Sequence, residues 1–273
     1  MKIEAIQTRA LRRVDRPDPS LRDLGLPRMT TELIRQREIG QRSGEELRMA
    51  NEQEKEAAAR ASLRFIQDGQ IVGLGSGSTA TRFIKLLGEE VRKGLRIRGI
   101  PTSVDSRKLA ESLGIPLTTL DECQEIAVTV DGADEVDPEL RLIKGGGGAL
   151  LREKIVASAT QKFVIVVDAS KQVKKLGKFP LPVEVIRFAQ TLVTKRIAAL
   201  GARVELRKLA DGKPFVTDEN NHILDCHFGE IENPDTLARQ LSDMPGVVEH
   251  GLFIGMASLV LVARGSEILE LSR

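Results

Sequence analysis

The sequence has little material for binding nucleic acid. It contains no Trp, no Tyr and eight Phe in 273 residues, which leaves few aromatic rings on which bases could stack. Its 41 basic and 39 acidic residues give a formal charge of +2. No overall field therefore attracts nucleic acid or an anionic membrane.

Cysteine and histidine are scarce as well. Cys123 and Cys226 lie far apart without a CxxC pattern, and the three histidines show no metal-ligand spacing. We therefore expect reduced thiols and no metal site. No apolar run reaches the ~18 residues that a membrane helix needs, and no secretion signal is recognisable. These absences predict a cytoplasmic protein without a membrane partner.

Residues 1–48 differ from the remainder. They are rich in arginine and carry three prolines with weak helical periodicity, which is typical of a poorly ordered segment. They contain too many acids for a transit peptide. The codons for Gly44, Glu45 and Glu46 must be purine-rich, like a bacterial ribosome-binding site, and Met49 follows them. We expect residues 1–48 to be a disordered or artefactual leader and Met49 to be the native start.

From residue 49 onward, short apolar strands alternate with amphipathic helices. This pattern predicts an α/β fold: a mostly parallel open sheet with helices on both faces, Rossmann-like. Beyond residue 180 the order becomes βαββαβ, typical of a smaller ferredoxin-like α+β domain. We assign 49–180 and 252–273 to the main catalytic domain and 181–251 to the small one. The predicted main-sheet strands are 71–74, 95–101, 115–119, 126–130 and 163–167, and the apolar segment 252–262 returns to that sheet.

Polar segments follow the carboxyl ends of three predicted strands, where ligands collect in an open parallel sheet. The first, "GLGSGST" at 73–79, offers bare backbone, hydroxyls and a helix N-terminus, which suit a phosphate monoester. The loop also fits a dinucleotide fingerprint or a plain strand-to-helix turn. The dinucleotide interpretation lacks a ribose-binding acid after strand 95–101.

The second segment combines carboxylates, a lysine and four consecutive glycines. Asp131 and Asp134 follow strand 126–130, Lys144 precedes 145–148, and Glu153 lies early in a predicted helix. A lysine beside bare backbone can stabilise an oxyanion, and a partly desolvated glutamate can act as a base near neutral pH. Taken singly, these residues fit turn caps and a helix surface. That interpretation leaves the entropic cost of four glycines unexplained.

The third segment is "VVDASK". Its Lys171 is a candidate second cation for a phosphate, and Lys55 on the first helix is another. Either side chain could instead be an ordinary solvated lysine.

The motifs "IVGLGSGSTA", "VDGADE", "IKGGGGALLREKI", "VDASK" and "LGKFPLPVEV" resemble, in order, those of type A ribose-5-phosphate isomerases. The resemblance covers about residues 52–265. It implies an aldose–ketose isomerase of the pentose phosphate pathway that interconverts ribose 5-phosphate and ribulose 5-phosphate through an enediolate. It also implies that the enzyme needs no cofactor or metal and forms a homodimer or homotetramer.

By position, the resemblance makes Glu153 the catalytic base and Lys144 the group that stabilises the reacting oxygens. Asp131 and Asp134 match carboxylates that contact the sugar hydroxyls and assist ring opening. Gly148 departs from the pattern, because some members have alanine there. The candidate substrate-binding residues are Ser76, Gly77, Ser78, Thr79, Gly132, Ala133, Gly145, Gly146, Gly147, Lys171 and Lys55.

Two alternatives stay open. The first alternative is a sugar-phosphate-sensing transcriptional regulator, because effector domains of certain bacterial repressors resemble residues 55–80. Such repressors normally carry an N-terminal helix-turn-helix, of which the leader could be a remnant. The leader lacks two well-patterned helices around a short turn, however, and a sensor has no need for Glu153. The second alternative is another enzyme of the same architecture, such as a sugar-phosphate deaminase or an acyl-CoA transferase.

Overall fold

The computed structural model describes residues 49–272, so the predicted leader at 1–48 lies outside the described residues. From Ala50 onward these residues form one compact unit. Residues 49–62 are helical (α1), and a 3-10 turn follows at Leu63–Phe65. The remaining helices and strands are, in chain order, β1 (Ile71–Leu74), α2 (Gly77–Arg92), β2 (Arg98–Pro101), α3 (Val104–Ser112), β3 (Ile126–Asp131), β4 (Glu135–Val136), β5 (Leu142–Ile143), α4 (Leu150–Ser158), β6 (Thr160–Asp168), β7 (Leu181–Val185), α5 (Gln190–Ala199), β8 (Arg203–Leu206), β9 (His222–His227), α6 (Pro234–Ser242), β10 (Val247–His250), β11 (Leu252–Phe253), β12 (Leu259–Arg264) and β13 (Glu267–Ser272).

The main sheet has six strands in the order β13-β12-β6-β3-β1-β2. All neighbouring pairs are parallel except β12 with β13, which confirms the predicted α/β fold class. The chain places β2 on one side of β1 and β3 on the other. The direction of winding therefore reverses at β1, which opens a crevice at the carboxyl ends of β1 and β3.

Strand β6 shows why the main sheet is buried on both faces. Val164 and Val166 pack in the apolar cluster that includes α2, whereas Phe163, Ile165 and Val167 pack in the cluster on the opposite face. Successive side chains of a strand point to opposite faces. A strand covered on both sides is therefore apolar at nearly every position, and this is the continuous pattern that the sequence shows.

A second sheet lies within residues 181–250. It is antiparallel, has the order β10-β7-β9-β8, and carries α5 and α6 in the predicted βαββαβ sequence of elements. It has its own apolar cluster, which includes Val183, Val193 and Leu224. The division of the chain into two domains stays a prediction.

A third, three-stranded sheet with the order β11-β5-β4 connects the other two. Leu142 of β5 packs in a cluster of the main sheet, and the next residue, Ile143, packs in the cluster of the antiparallel sheet. Lys144 follows immediately. The lysine is thus fixed by packing on both sides of the strand that precedes it.

Three details differ from the sequence prediction. Segment 115–119 forms only a single bridge, from Leu117 to Gly99, instead of a strand; Pro116 has no N–H to extend the ladder. Segment 252–262 divides, because Leu252–Phe253 pairs with β5 and only β12 joins the main sheet. Strand β13 was not predicted. Among residues 49–272, no helix combines the length and apolar character needed to cross a membrane.

Candidate active site

The candidate site lies where three strands of the main sheet end. Strand β1 leads into the serine turn (residues 75–79), β3 ends at Asp131, and β6 ends at Asp168. Together with the glycine loop (residues 145–148) and α4, these segments surround a cavity of about 220 Å³. This volume lies a little below the range of about 300–1,000 Å³ that is typical of pockets for drug-sized ligands, so the cavity suits a smaller molecule.

The predicted site residues converge on this cavity. All of them line it except Asp131, which is completely buried. Asn51, Val167, Asp168 and Ser170 also line the cavity and were not among the predicted site residues. Val167, Asp168 and Ser170 lie inside the VDASK motif, which was a usable signal, whereas Asn51 belongs to no motif. The roles assigned to the predicted residues stay predictions.

The acid–lysine cluster (Asp131, Lys144 and Glu153) forms one wall of the site. The ammonium nitrogen of Lys144 lies 3.0 Å from Asp131 Oδ2 and 3.3 Å from Glu153 Oε2. It also donates a hydrogen bond to the Gly132 carbonyl at 2.6 Å. The three side chains are at most 5% exposed. One buried cation therefore faces two buried carboxyl groups.

Burial raises the pKa of both carboxyl groups in the cluster. Loss of solvent raises the pKa of Glu153 from 4.5 to about 8, against the attraction of Lys144. Burial also raises the pKa of Asp131, but its Oδ1 accepts hydrogen bonds from the N–H groups of Ser76 at 3.0 Å and Gly132 at 2.7 Å. Oε2 of Glu153 and Oδ2 of Asp131 both lack a hydrogen-bond partner among the described residues. The two N–H donors favour the charged form of Asp131, whereas Glu153 has no such donors within those residues and its pKa lies near neutral pH.

Lys144 keeps its charge in this cluster. Burial alone would lower its pKa, but the carboxylates of Asp131 and Glu153 outweigh that cost, and the pKa of Lys144 is raised. The ring of Phe253 lies 5.5 Å from the ammonium and adds a favourable cation–π contact. The main-chain N–H of Lys144 donates to Gly251 at 2.9 Å. The lysine is thus a permanent, fixed cation.

The four glycines have two different reasons to be glycine. Gly145 and Gly148 have φ of +96° and +85°, and a Cβ on Gly146 would lie 2.5 Å from Asp134 Oδ1. The fold itself requires these three. A Cβ on Gly147 would meet no described atom within 4 Å, yet Gly147 is exposed and lines the cavity. The bare backbone of Gly147 therefore faces the space that a ligand would occupy.

Ser76 forms its hydrogen bonds with other residues of the protein. Its hydroxyl contacts the hydroxyl groups of Thr102 and Ser103, each at 2.8 Å, and of Ser106 at 3.2 Å. Its N–H donates to Asp131. Both donor groups of Ser76 are thus engaged, and any contact with a ligand would need a rearrangement. These bonds hold the serine turn against the start of α3.

The part of the cavity at the start of α2 suits an anion. Helix α2 begins at Gly77, and its Ser76 N-cap forms no side-chain cap bond. The first N–H groups of a helix have no partner inside it and attract negative charge. Gly77 and Ser78 are exposed at this point, and Thr79 is 8% exposed. The helix start therefore offers N–H donors and two hydroxyls to the cavity.

Two lysines, Lys55 and Lys171, also line the cavity. The Lys55 ammonium is 3.1 Å from Glu52 Oε1, so part of its charge is already balanced. Lys171 is the last residue of a short 3-10 turn, Ala169–Lys171, which Asp168 caps by accepting from the Ser170 N–H at 3.0 Å. Lys171 forms no ion pair among residues 49–272. Within the same residues, no group of three His, Cys, Asp or Glu side chains could hold a metal ion.

Comparisons with known proteins agree with this geometry. The family model for ribose 5-phosphate isomerase A (phosphoriboisomerase A) matches residues 98–267. The chain is 52% identical to ribose-5-phosphate isomerase A of Parvibaculum lavamentivorans, over 81% of this chain and 99% of that protein. A solved ribose 5-phosphate isomerase A from Methanocaldococcus jannaschii is 40% identical with a TM-score of 0.79, covering 82% of this chain and 100% of its own.

A further solved structure is a D-ribose-5-phosphate isomerase in complex with phospho-erythronic acid. It is 41% identical with a TM-score of 0.79, and the match covers 81% of this chain and 99% of that one. The chain described here belongs to the ribose 5-phosphate isomerase A family.

Proposed function

We propose that this protein interconverts D-ribose 5-phosphate and D-ribulose 5-phosphate by moving a proton between C2 and C1 through an enediolate. The observation that carries the proposal is the acid–lysine cluster, with Lys144 within 3.3 Å of both carboxyl groups, in a cavity that a helix N-terminus also lines. A base, an electrophile and an anion site in one cavity suffice for this reaction.

Glu153 acts as the base. In the direction from aldose to ketose, its carboxylate takes the C2 proton while the C1 carbonyl oxygen gains the electron pair. Return of the proton to C1 and transfer of one hydroxyl proton from O2 to O1 complete the ketose. A pKa raised to about 8 makes this carboxylate a stronger base than an ordinary glutamate.

Lys144 stabilises the charge that develops on O1 and O2. Its ammonium is desolvated and already oriented by three oxygens, so little reorganisation is needed when the enediolate forms. Asp131 and Asp134 contact the sugar hydroxyls and assist ring opening. Asp134 is oriented for this by the Gly146 N–H, which donates to its Oδ2 at 2.7 Å.

The substrate phosphate binds at the start of α2. Ser78, Thr79 and the free N–H groups of the first turn supply hydrogen bonds, and Lys171 and Lys55 supply positive charge. A related D-ribose-5-phosphate isomerase forms a complex with phospho-erythronic acid, which supports a sugar phosphate as the class of substrate.

The chain acts in the cytoplasm as a homodimer or homotetramer, without a nucleic-acid or membrane partner. Three apolar side chains near α5 support a contact between subunits: Ile186, Phe188 and Leu192 are 42%, 99% and 50% exposed. The two free cysteines suit a reducing compartment. The net charge of +2 gives the protein little attraction for a polyanion such as nucleic acid. Sedimentation equilibrium tests the oligomer, and a monomer would contradict it.

The alternative of a sugar-phosphate sensor in a transcriptional regulator finds no support among the relatives, which are named as isomerases. The decisive experiment is to incubate the purified protein with ribose 5-phosphate in the presence of a chelator and to identify the product by NMR. We expect an equilibrium mixture with ribulose 5-phosphate. An unchanged substrate, or release of ammonia from an amino sugar phosphate instead, would contradict the proposal.

A further inference from the structure

Arg207 connects the antiparallel sheet to the glycine loop. It directly follows β8, and its side chain is 13% exposed. Its Nη1 donates to the carbonyl oxygens of Gly145 at 2.9 Å and Gly146 at 3.1 Å. Its Nε donates to Asp225 Oδ2 at 2.9 Å, and its Nη2 pairs with Oδ1 of the same carboxylate. The two-point pair with Asp225 fixes the plane of the guanidinium.

These contacts determine which way two peptide units face. In a trans peptide, the C=O and N–H of one unit point in opposite directions. The Gly145 carbonyl faces Arg207, and the N–H of the same unit, on Gly146, reaches Asp134 at 2.7 Å on the cavity side. The Gly146 carbonyl also faces Arg207, so the Gly147 N–H points away from the guanidinium.

The Gly147 N–H is free for a ligand. It has no acceptor among residues 49–272, and Gly147 is exposed and lines the same cavity as Lys144 and Glu153. Asp134 binds the preceding peptide unit, and Arg207 is the only side chain among residues 49–272 that binds the unit joining Gly146 to Gly147. Without Arg207 this unit could rotate at little cost, since glycine adopts both signs of φ. Arg207 is not among the residues that line the cavity, so it would not contact the substrate itself.

We propose that Arg207 is a positioning residue: its bonds to the Gly145 and Gly146 carbonyls hold the Gly147 N–H towards the reacting oxygens of the sugar, where it supplements Lys144. The inference rests on the proposed isomerase function. It assigns the antiparallel sheet a part in the reaction, since Arg207 and Asp225 both belong to that part of the chain. Because Asp225 balances the charge of Arg207, Arg207 acts by orienting the peptide unit and not by its electrostatic field.

The test compares matched variants of the full chain. R207M keeps an unbranched apolar stem and removes the guanidinium, and R207K restores one donor group and the charge. D225N leaves Arg207 in place but loosens it. R203M is the control: Arg203 lies on β8 itself and pairs with Glu205 at the surface, with the two side chains 65% and 55% exposed.

Loss of one preorganised N–H donor to an oxyanion lowers kcat about 100-fold to 1,000-fold, and a loop that still samples the correct orientation should lose less. We expect R207M to lower kcat by about 10-fold to 100-fold with KM changed by less than about threefold. R207K should recover part of the loss, D225N should lose less than R207M, and R203M should match the wild type. The pH at which kcat/KM rises should stay unchanged, because the acid–lysine cluster is not altered.

Several results would overturn the inference. Wild-type kcat in R207M would do so, as would a rise in KM alone, or an equal loss in R203M. A shifted pH profile in R207M would mean that Arg207 acts on the charges and not on the peptide. If R207M does not fold, D225N decides, and wild-type kcat there counts against the proposal. Absence of isomerase activity in the wild type would instead refute the proposed function.

Discussion

Two parts of the cavity are built in opposite ways. At the proposed reaction end, Asp131, Lys144 and Glu153 are almost completely buried and bind one another. At the proposed phosphate end, by the start of α2, Ser78 is exposed and Lys171 is half-buried. The groups that we propose to react are thus fixed in the interior, whereas those that we propose to bind the phosphate are more open to water. Turnover and affinity should therefore respond to different mutations.

The largest effect should come from Glu153. E153Q keeps the shape of the side chain and removes the base, so we expect kcat to fall about 100-fold to 10,000-fold with little change in KM. The measurement is steady-state kinetics with ribose 5-phosphate. R152Q is the control on the same helix, because Arg152 pairs with Glu219 at the surface. Turnover in E153Q close to that of R152Q would remove Glu153 from the role of base.

The glycine loop gives the next largest effect and separates fold from function. A Cβ on Gly147 has free space within the described chain, so G147A should keep the Tm of the wild type but lower kcat/KM about 10-fold by crowding the sugar. G145A, in contrast, should destabilise the protein. Gly145 has φ of +96° and an added Cβ would lie 2.8 Å from Leu150 Cβ, so the free energy of unfolding should fall by about 1 kcal/mol or more. Thermal unfolding beside kinetics tests both, and equal Tm losses would contradict the distinction.

Lys171 should have a smaller effect, confined to affinity. K171A removes one cation from the phosphate end and should raise KM several-fold, with kcat changed by less than about twofold. The effect should weaken at high salt, because exposed charges are screened. Lys174 is exposed on the same segment, so K174A should leave KM unchanged. Equal KM values for K171A and the wild type would place the phosphate elsewhere.

The smallest effect concerns stability. Folding raises the pKa of Glu153 from 4.5 to about 8, so the folded state binds this proton more tightly. The resulting stability is complete below pH 4.5 and is lost as the pH rises through about 8. E153Q cannot ionise, so it should gain in Tm relative to the wild type between pH 5 and pH 9, by a few degrees, since about 1 kcal/mol shifts Tm by about 2–4 °C. A constant difference across this range would contradict the burial of an ionising group.

Much of the reaction end could be predicted from local sequence. Asp131 follows an apolar strand, Lys144 precedes the glycines, and Glu153 lies in the first turn of a helix; the carboxyl ends of parallel strands then bring such residues together. The main sheet and the βαββαβ order were equally accessible, because short apolar runs mark the strands and amphipathic segments between them mark the helices.

Other features depend on contacts between distant segments and were missed. The Ser76 hydroxyl faces Thr102 and Ser103 rather than the cavity, which no motif reveals. Arg207 reaches the Gly145 carbonyl across 62 positions of the chain. Strand β13 is the edge strand of the main sheet and pairs only with β12. Most of its residues are exposed, so it has no continuous apolar pattern that would predict a strand. Tertiary geometry, rather than local propensity, decides each of these.

The most direct test of the account is the titration of Glu153 in the free enzyme. Protein labelled with ¹³C at the glutamate side-chain carboxyl would be followed by NMR from pH 4 to pH 10, and the Glu153 resonance identified by its loss in E153Q. We predict an apparent midpoint near pH 8, raised by burial beside Lys144 and shared in part with Asp131. A midpoint near 4.5, the ordinary value for glutamate, would contradict the claim that the cluster prepares Glu153 to move a proton.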